Sequence, residues 1–462
     1  MKGGGFDCVI GNPPYIRIQT LQEFSPEGAT YLKSSYRTAA SGNFDIYVCF
    51  VEKGLSVLRE GGRLGFILPS KFLQTDYGKE LRTLIVETHA LQKLVDFSHL
   101  QVFDGPTTYT CLMFLVTHPN QKVEYLRVQD EESLPSLGGS VSLVSSDTLS
   151  SDPWVFGEKE QRAIYKKLGT FPELLAGLGV SISRGSSSGD DGVFVLTKTE
   201  RTDIYKTRQG EDVPLESECL RIPLYATDFK RYIFAALAEE RIIFPYSVGG
   251  SSSALIPEKD FKERFPQAYE YLRSRKKRLD DRKQFREWYG YSAPRNLTLH
   301  DSANLLVPLL ADRGSFSQFP SGQNRFCLMA SGGFSITVPE NAPTSPRYLL
   351  GLLNSSLLFA YLRSISNVFR GGWITCTKQY VGKLPIRPID FSDPTDKARH
   401  DKMVELVDRM LELNKQKHSG KLAPSQVDRV VREIAATDAE IDGLVYELYS
   451  ITDEERRIVE SR

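Results

Sequence analysis

Asn12-Pro13-Pro14-Tyr15 is a tetrapeptide whose residue types, in this order, can do chemistry. Two consecutive prolines fix the backbone dihedrals, so the Asn12 side chain and the Pro13 carbonyl are presented in a preset geometry with little entropy left to lose. An exocyclic amino group conjugated to a ring or carbonyl is a poor nucleophile because its lone pair is delocalised. Two acceptors, the Asn12 amide oxygen and the Pro13 carbonyl, can each take one of its N–H bonds and draw the nitrogen toward tetrahedral geometry with the lone pair free. Tyr15 adds a flat π face for a planar substrate, and Pro14 keeps the loop rigid. No general base with a perturbed pKa is needed, which fits the lack of a His/carboxylate constellation nearby. Other chemistries find little support. The cysteines (Cys8, Cys49, Cys111, Cys219, Cys327, Cys376) stand singly, mostly in apolar runs, and read as small buried hydrophobes of a reducing compartment. No CxxC and no Cys/His spacing suits a metal, and no nuclease-type cluster of acidic residues with lysine stands out.

The elements that must position this loop can be read around it. FDCVIG at 6–11 is a short apolar run stopped by Gly11, a buried strand leading into the rigid loop. NFDIYVCFVEKGLSVL at 43–58 has helical periodicity, ended by Glu60-Gly61-Gly62. Strands are expected at 63–68, 91–97 and 109–116, with a helix at 77–87, so residues 1–120 form an α/β layer with a mainly parallel sheet. The Ser/Leu-rich stretch within 121–180 reads as a loop-like connection. Residues 181–390 mix short β-like runs with helices, including a mostly buried helix over Pro346–Ile365, as an α+β module. Residues 391–462 form a helical C-terminus with a break at Ser419-Gly420-Lys421.

The chain has 462 residues and a formal net charge of zero, 58 basic against 58 acidic. That length and balance exclude a wholly disordered chain and suit two or three domains. The zero conceals opposed blocks: residues 1–220 carry −6, residues 221–388 carry +11 and residues 389–462 carry −5. The densest stretch is Arg273–Arg286, RSRKKRLDDRKQFR, with Trp288, Tyr289, Tyr291 and Trp373 elsewhere in the basic segment. A charge run alone is usually a solvated helix face, but an excess over so long a segment favours a polyanion-binding surface. No window approaches a membrane span and the first fifteen residues lack signal-peptide features, so no membrane partner and a soluble cytoplasmic protein are expected.

With these residues in view, the chain resembles the DNA adenine-N6 methyltransferases of the TaqI-like and Eco57I-like branch, including the methylase regions of type IIG restriction-modification proteins. The resemblance rests on NPPY after a strand, GGRLGFILPSKF at 61–72, VFDGPTTYTCLMFL at 102–115, WYGYSAPRN at 288–296, YLLGLLNSSLLFAYL at 348–362, WITCTKQYVGKLPI at 373–386 and the C-terminal AEIDGLVYELYSITDEERRIVE. It implies a partial Rossmann-like methyltransferase sheet, a TaqI-like target-recognition domain and a helical C-terminus. It also implies S-adenosyl-L-methionine as cofactor and double-stranded DNA as partner, in a restriction-modification or related defence system.

By that resemblance Asn12, Pro13, Pro14 and Tyr15 are catalytic, and Phe103 or Tyr109 covers the other face of a flipped base. Both aromatics are equally readable as core. Arg273, Arg275, Lys276, Lys277 and Arg278 are candidates for phosphate contacts, or a solvated helix. Tyr47 and Phe50 fit core packing or the lining of a cofactor pocket. The family's glycine-rich cofactor block precedes NPPY by many residues, whereas eleven residues precede Asn12 here. The expectation is the C-terminal part of a larger enzyme, truncated or split from a partner chain carrying the cofactor-binding half, with no assignable cofactor residues and no metal. The alternatives are an inactive DNA-specificity subunit and a protein-glutamine or RNA amino-group methyltransferase, because the same tetrapeptide serves both chemistries.

Overall fold

The computed structural model describes residues 4–460 apart from 41, 99, 104–108, 129, 155, 157–158, 234–238, 251, 301, 321–324, 343, 369–371 and 421. The chain divides into two compact units, one of residues 1–163 with 363–374, the other of residues 164–362 with 375–462.

The first unit is built on one six-stranded sheet. Its strands are β1 (Phe6–Gly11), β2 (Leu58–Pro69), β3 (Leu91–Asp96), β4 (Thr110–Val116), β5 (Lys122–Val128) and β6 (Gly139–Ser145), in the spatial order β1-β2-β4-β3-β5-β6. Helices α1 (Ile18–Phe24), α2 (Pro26–Ser35), α3 (Tyr47–Ser56) and α4 (Lys79–Thr88) complete it. Period-two alternation assigns the faces. Leu64, Phe66 and Leu68 of β2 and Cys111, Met113 and Leu115 of β4 join the main core with Tyr47, Val48, Val51, Leu81 and Ile85 of the helices. Ile67, Leu112 and Phe114 point the other way, to a smaller cluster around Val95, Phe97 and Leu126. Each fully buried Leu or Met contributes roughly 1.5–3 kcal/mol, so the register that places them inward is strongly specified.

β1 starts where a glycine is required. Gly5 has φ of +109°, and a Cβ there would sit 2.7 Å from the Arg59 nitrogen. This close approach lets the Phe6 N–H donate to the Val57 carbonyl at 2.9 Å and opens the parallel ladder with β2, in which Cys8, Val9, Ile10 and Gly11 face Arg63, Leu64, Gly65 and Phe66.

The sheet is mixed, where the sequence reading expects it to be mainly parallel. β1–β2 and β3–β5 are parallel, whereas β4 runs antiparallel to both β2 and β3, and β6 antiparallel to β5. No helix is assigned among the described residues between β3 and β4, and a link without a crossover helix returns the chain in the opposite direction. The 121–180 stretch is also not simply a connection, because it supplies β5 and β6. Val123, Tyr125 and Leu126 of β5 face Val144, Ser142 and Val141 of β6, and Val144 is buried in the main core while Val141 and Leu143 stay exposed on this outer strand.

In the second unit the strands Asp212–Pro214, Ile204–Lys206, Val195–Lys198, Glu240–Ile243, Leu220–Leu224 and Phe326–Leu328 lie side by side in that order. A four-stranded sheet and a two-stranded hairpin, Tyr246–Gly249 with Ser252–Leu255, accompany them. Trp288, Tyr289 and Tyr291 are core residues here: the Tyr289 and Tyr291 hydroxyls donate to the Ile256 and Ile243 carbonyls, each at 2.7 Å. The expected helix over 346–365 is two helices, Pro346–Asn354 and Ser356–Ile365, bent by 69°. Helices Pro394–His418 and Pro424–Leu448 pack on each other on either side of the expected break, the first started by Asp393, whose side chain accepts from the Thr395 N–H. Among the described residues no single helix is long and apolar enough to cross a membrane.

Candidate functional site

The Asn12–Ile16 loop leaves the carboxyl end of β1, beside the carboxyl end of parallel β2, the edge at which open α/β sheets bind ligands. It is held at both ends. Upstream, Gly11 is in the ladder opposite Phe66. Downstream, the Ile18 N–H donates to the Phe44 carbonyl and the Ile46 N–H to the Ile16 carbonyl, both at 2.9 Å. The expected helix over 43–58 therefore begins only at Tyr47, because Phe44 to Ile46 are spent on clipping the loop.

Within the loop Pro13 is buried, Asn12 and Pro14 are exposed and Tyr15 is half-buried. Neither the Asn12 amide nor the Pro13 carbonyl has a hydrogen-bond partner among the described residues, so a rigid pair of acceptors is open to a ligand. The Tyr15 hydroxyl donates to the Ile67 carbonyl at 3.1 Å, and burial, helped by the nearby Cys111, pushes its pKa up to about 12. Tyr15 is a neutral, tethered ring and not a proton carrier.

Tyr109 and Phe103 emerge at the same end of the sheet. Thr110 faces Pro69, the last residue of β2, and the Tyr109 carbonyl accepts from the Ser70 N–H at 3.0 Å. Phe103 is 39% exposed in the link after β3, whose Asp96 faces Cys111. The Asp96 carboxylate accepts from the Ser98 N–H and the Tyr125 hydroxyl, both at 2.7 Å, which fixes the start of that link. Residues 104–108 of the 102–115 block lie outside the described residues.

Of the two aromatics at helical spacing, Tyr47 is fully buried, its hydroxyl 3.1 Å from that of Tyr77, while Phe50 is exposed. Burial raises the pKa of both tyrosines. Tyr77 also donates to Asp45 at 3.4 Å, tying this pair to the clip that holds the loop. Asp45 and Tyr77 were not singled out by sequence reasoning. They lie more than thirty residues apart and carry no spacing signal.

Five of the six cysteines are buried, as expected, but Cys8 is exposed. It lies on β1, one of the two end strands of the sheet. Phe6 and Ile10, on the same face of the strand as Cys8, are 48% and 85% exposed, whereas Val9 on the opposite face packs against the main core, so one face of β1 lacks cover among the described residues. No group of three or more His, Cys, Asp or Glu side chains suited to a metal is present among the described residues.

In the second unit the basic run is largely engaged internally. Arg273 pairs with Glu270 at 2.5 Å, Arg275 pairs with Glu211, and Arg278 pairs with Asp190 at 2.5 Å. Lys276 lies 5.2 Å from the Trp288 ring centroid, and Lys277 is exposed. Arg282 is an internal strut: its guanidinium donates to the carbonyls of Ser188, Gly290 and Trp288 at 2.6–2.8 Å.

Residues 1–103 match the Eco57I restriction-modification methylase model, and residues 261–386 match the TaqI-like C-terminal specificity domain. The chain is 28% identical over 97% of its length to the type II restriction enzyme and methyltransferase RM.Eco57I of Escherichia coli, covering 46% of that protein. It is 30% identical over 42% of its length to the type II methyltransferase M.PaeR7I of Pseudomonas aeruginosa, covering 35% of that one. The chain thus spans less than half the length of these two relatives. Among solved structures, the Type IIL restriction-modification enzyme MmeI, in complex with DNA, superposes with a TM-score of 0.62 at 13% identity, covering 98% of this chain and 56% of that one.

Proposed function

We infer that this chain, an Eco57I-type methylase region followed by a TaqI-like specificity domain, supplies the amine-activating loop and the target-recognition part of a site-specific DNA adenine-N6 methyltransferase of a restriction-modification system. The observation that carries this reading is the Asn12–Tyr15 loop: two acceptors without a partner among the described residues, beside a tethered aromatic ring, at the carboxyl end of a parallel strand pair.

The chemistry asked of these residues is positioning. The target adenine is flipped out of the duplex at a cost of a few kcal/mol, offset by stacking on Tyr15. Asn12 and the Pro13 carbonyl accept the two N6 hydrogens and turn the lone pair outward. Pro13, Pro14 and the clip at Phe44–Ile46 keep the acceptors from relaxing, so the orienting entropy is lost before the base arrives. Phe103 or Tyr109 covers the other face of the base in this reading.

The described residues fit the acceptor side of this reaction and not the cofactor side. S-adenosylmethionine supplies the methyl group in this reading, yet one face of β1, with Phe6, Cys8 and Ile10, is exposed among the described residues. An end strand leaves its outer backbone edge for a neighbouring strand to pair, and an exposed apolar face is what a further packed layer covers. The cofactor-binding half is therefore assigned to further polypeptide, in the same protein or a partner chain, that extends the sheet beyond β1.

The test is methyl transfer from labelled S-adenosylmethionine by the complete enzyme, offered duplex DNA, ribosomal RNA and a release-factor substrate in parallel. Label in DNA alone, abolished by Asn12→Ala with DNA binding retained, is the expected result. Near-normal turnover by Asn12→Ala, or label in RNA or protein instead, contradicts the reading.

A further inference from the structure

We propose that an arginine-lined cleft in the second unit, and not the Arg273–Arg278 run, is the grip through which this chain holds a phosphodiester of duplex DNA; the proposal rests on the DNA reading above and names the residues that serve it. Two cavities of about 320 and 280 Å³ share Glu218, Arg221 and Arg325 as lining. Arg241 lines the first and Arg264 the second. Each cavity is therefore lined by three arginines and one glutamate.

The charge is fixed in place. Arg221 is 5% exposed, its guanidinium 3.8 Å from the Phe244 ring centroid, and it donates to the Phe326 carbonyl at 2.9 Å. Arginine stays charged when buried, and the field of Arg221 adds to burial in lowering the pKa of His300 to about 4. Arg241 is half-buried and braced on the Glu240 carbonyl at 2.8 Å, while Arg264 and Arg325 are exposed. Guanidinium forks match phosphate oxygens in geometry and charge. Arg273, Arg275 and Arg278 each pair with a carboxylate.

A second observation selects the source of the phosphate. Tyr246, Ser247 and Val248, at the root of the hairpin, also line the second cavity. The Tyr246 hydroxyl accepts the Tyr291 N–H at 2.6 Å, which anchors that root in the core. Beyond it Gly249, Gly250, Ser252, Ser253 and Ala254 are exposed, small and uncharged. A two-stranded ribbon fits the major groove of B-form DNA, whereas the major groove of A-form RNA is too narrow to admit it. A phosphate in the cleft then borders the groove that receives the ribbon.

The experiment is fluorescence anisotropy of the full chain with a labelled DNA duplex between about 50 and 200 mM salt. Loss of two contacts in Arg241→Ala/Arg325→Ala should flatten the slope of log affinity against log salt by about 1.8, so the fall in affinity over that range becomes roughly 12-fold smaller. Arg325→Gln alone should flatten it by about 0.9, which keeps the test valid if the double variant misfolds. Arg273→Ala/Arg278→Ala should keep the wild-type slope. A wild-type slope in both cleft variants overturns the cleft while leaving the DNA reading standing. An RNA duplex bound as tightly as DNA, with the same loss in the variants, overturns the choice of DNA. Failure of the wild-type chain to bind any duplex overturns the underlying reading, and the cleft with it.

Discussion

Replacing Tyr15 by Phe and by Ala separates the ring from its hydroxyl. In the structure the hydroxyl is committed to the Ile67 carbonyl at 3.1 Å, and its pKa of about 12 leaves it protonated at neutral pH. It can tether the ring but cannot take a proton from the substrate. Tyr15→Phe loses one neutral hydrogen bond, about 1 kcal/mol, so kcat/KM in the complete enzyme should fall by no more than roughly fivefold. Tyr15→Ala also loses the stacking face, which is worth roughly 1–3 kcal/mol for a base on an aromatic ring. The combined loss of about 2–4 kcal/mol predicts a fall of roughly 30-fold or more. The assay is initial-rate methyl transfer to a duplex carrying the recognition site, with unfolding midpoints measured on the same preparations, since Tyr15 packs against the main core of its unit. If Phe is as damaging as Ala, the hydroxyl does chemistry that its tether excludes. If Ala turns over at nearly the wild-type rate, the ring does not carry the base.

Calorimetry of the isolated chain with S-adenosylmethionine should show no micromolar binding, because one face of β1 is uncovered among the described residues; a micromolar Kd would mean that the cofactor site is complete. Arg278→Ala, which removes the partner of the largely buried Asp190, should lower stability by roughly 0.2–1 kcal/mol, with no change in the salt dependence of DNA binding; a flatter salt slope would return this residue to the phosphate contacts. The Asp396 carboxyl is held below the usual range chiefly by the Arg387 guanidinium, with the Asp390 N–H also donating to it. Its folded pKa is depressed, so the stability it contributes is complete above the unfolded value of about 3.9 and is lost as pH falls through and below it. Asp396→Asn should therefore destabilise the chain by roughly 3 kcal/mol at neutral pH and flatten the acid limb of its stability curve; an unchanged acid limb would show that the pair does not govern it.

Much of the site was legible because its chemistry is local. Asn12 to Tyr15 are contiguous, and a strand before them is readable from six residues, so both loop and placement could be anticipated. What positions the loop was not legible. Asp45 and Tyr77 act through contacts that only the folded chain creates, and Phe44–Ile46 read as the start of a helix because Phe44, Tyr47 and Val48 share its periodicity. Strand direction failed for a related reason: apolar runs mark β3 and β4, but the intervening link decides whether they run parallel. The Ser-rich text around β6 looked like linker because serine dominates its composition, although Val141 and Leu143 keep the strand alternation. Charge density along the sequence does not show which arginines already have carboxylate partners. Arg273–Arg286 is the densest basic run, yet Glu211 and Asp190, far away in sequence, face two of its arginines, whereas Arg221, Arg241 and Arg325 are scattered and converge only in space.

Nucleoside mass spectrometry of DNA methylated by the complete enzyme tests the central claim most directly. The account predicts N6-methyladenine at a defined site with the wild-type loop and none with Asn12→Ala, although that variant still binds the duplex. N6-methyladenine at wild-type levels with Asn12→Ala, or methylation confined to another base, would contradict it.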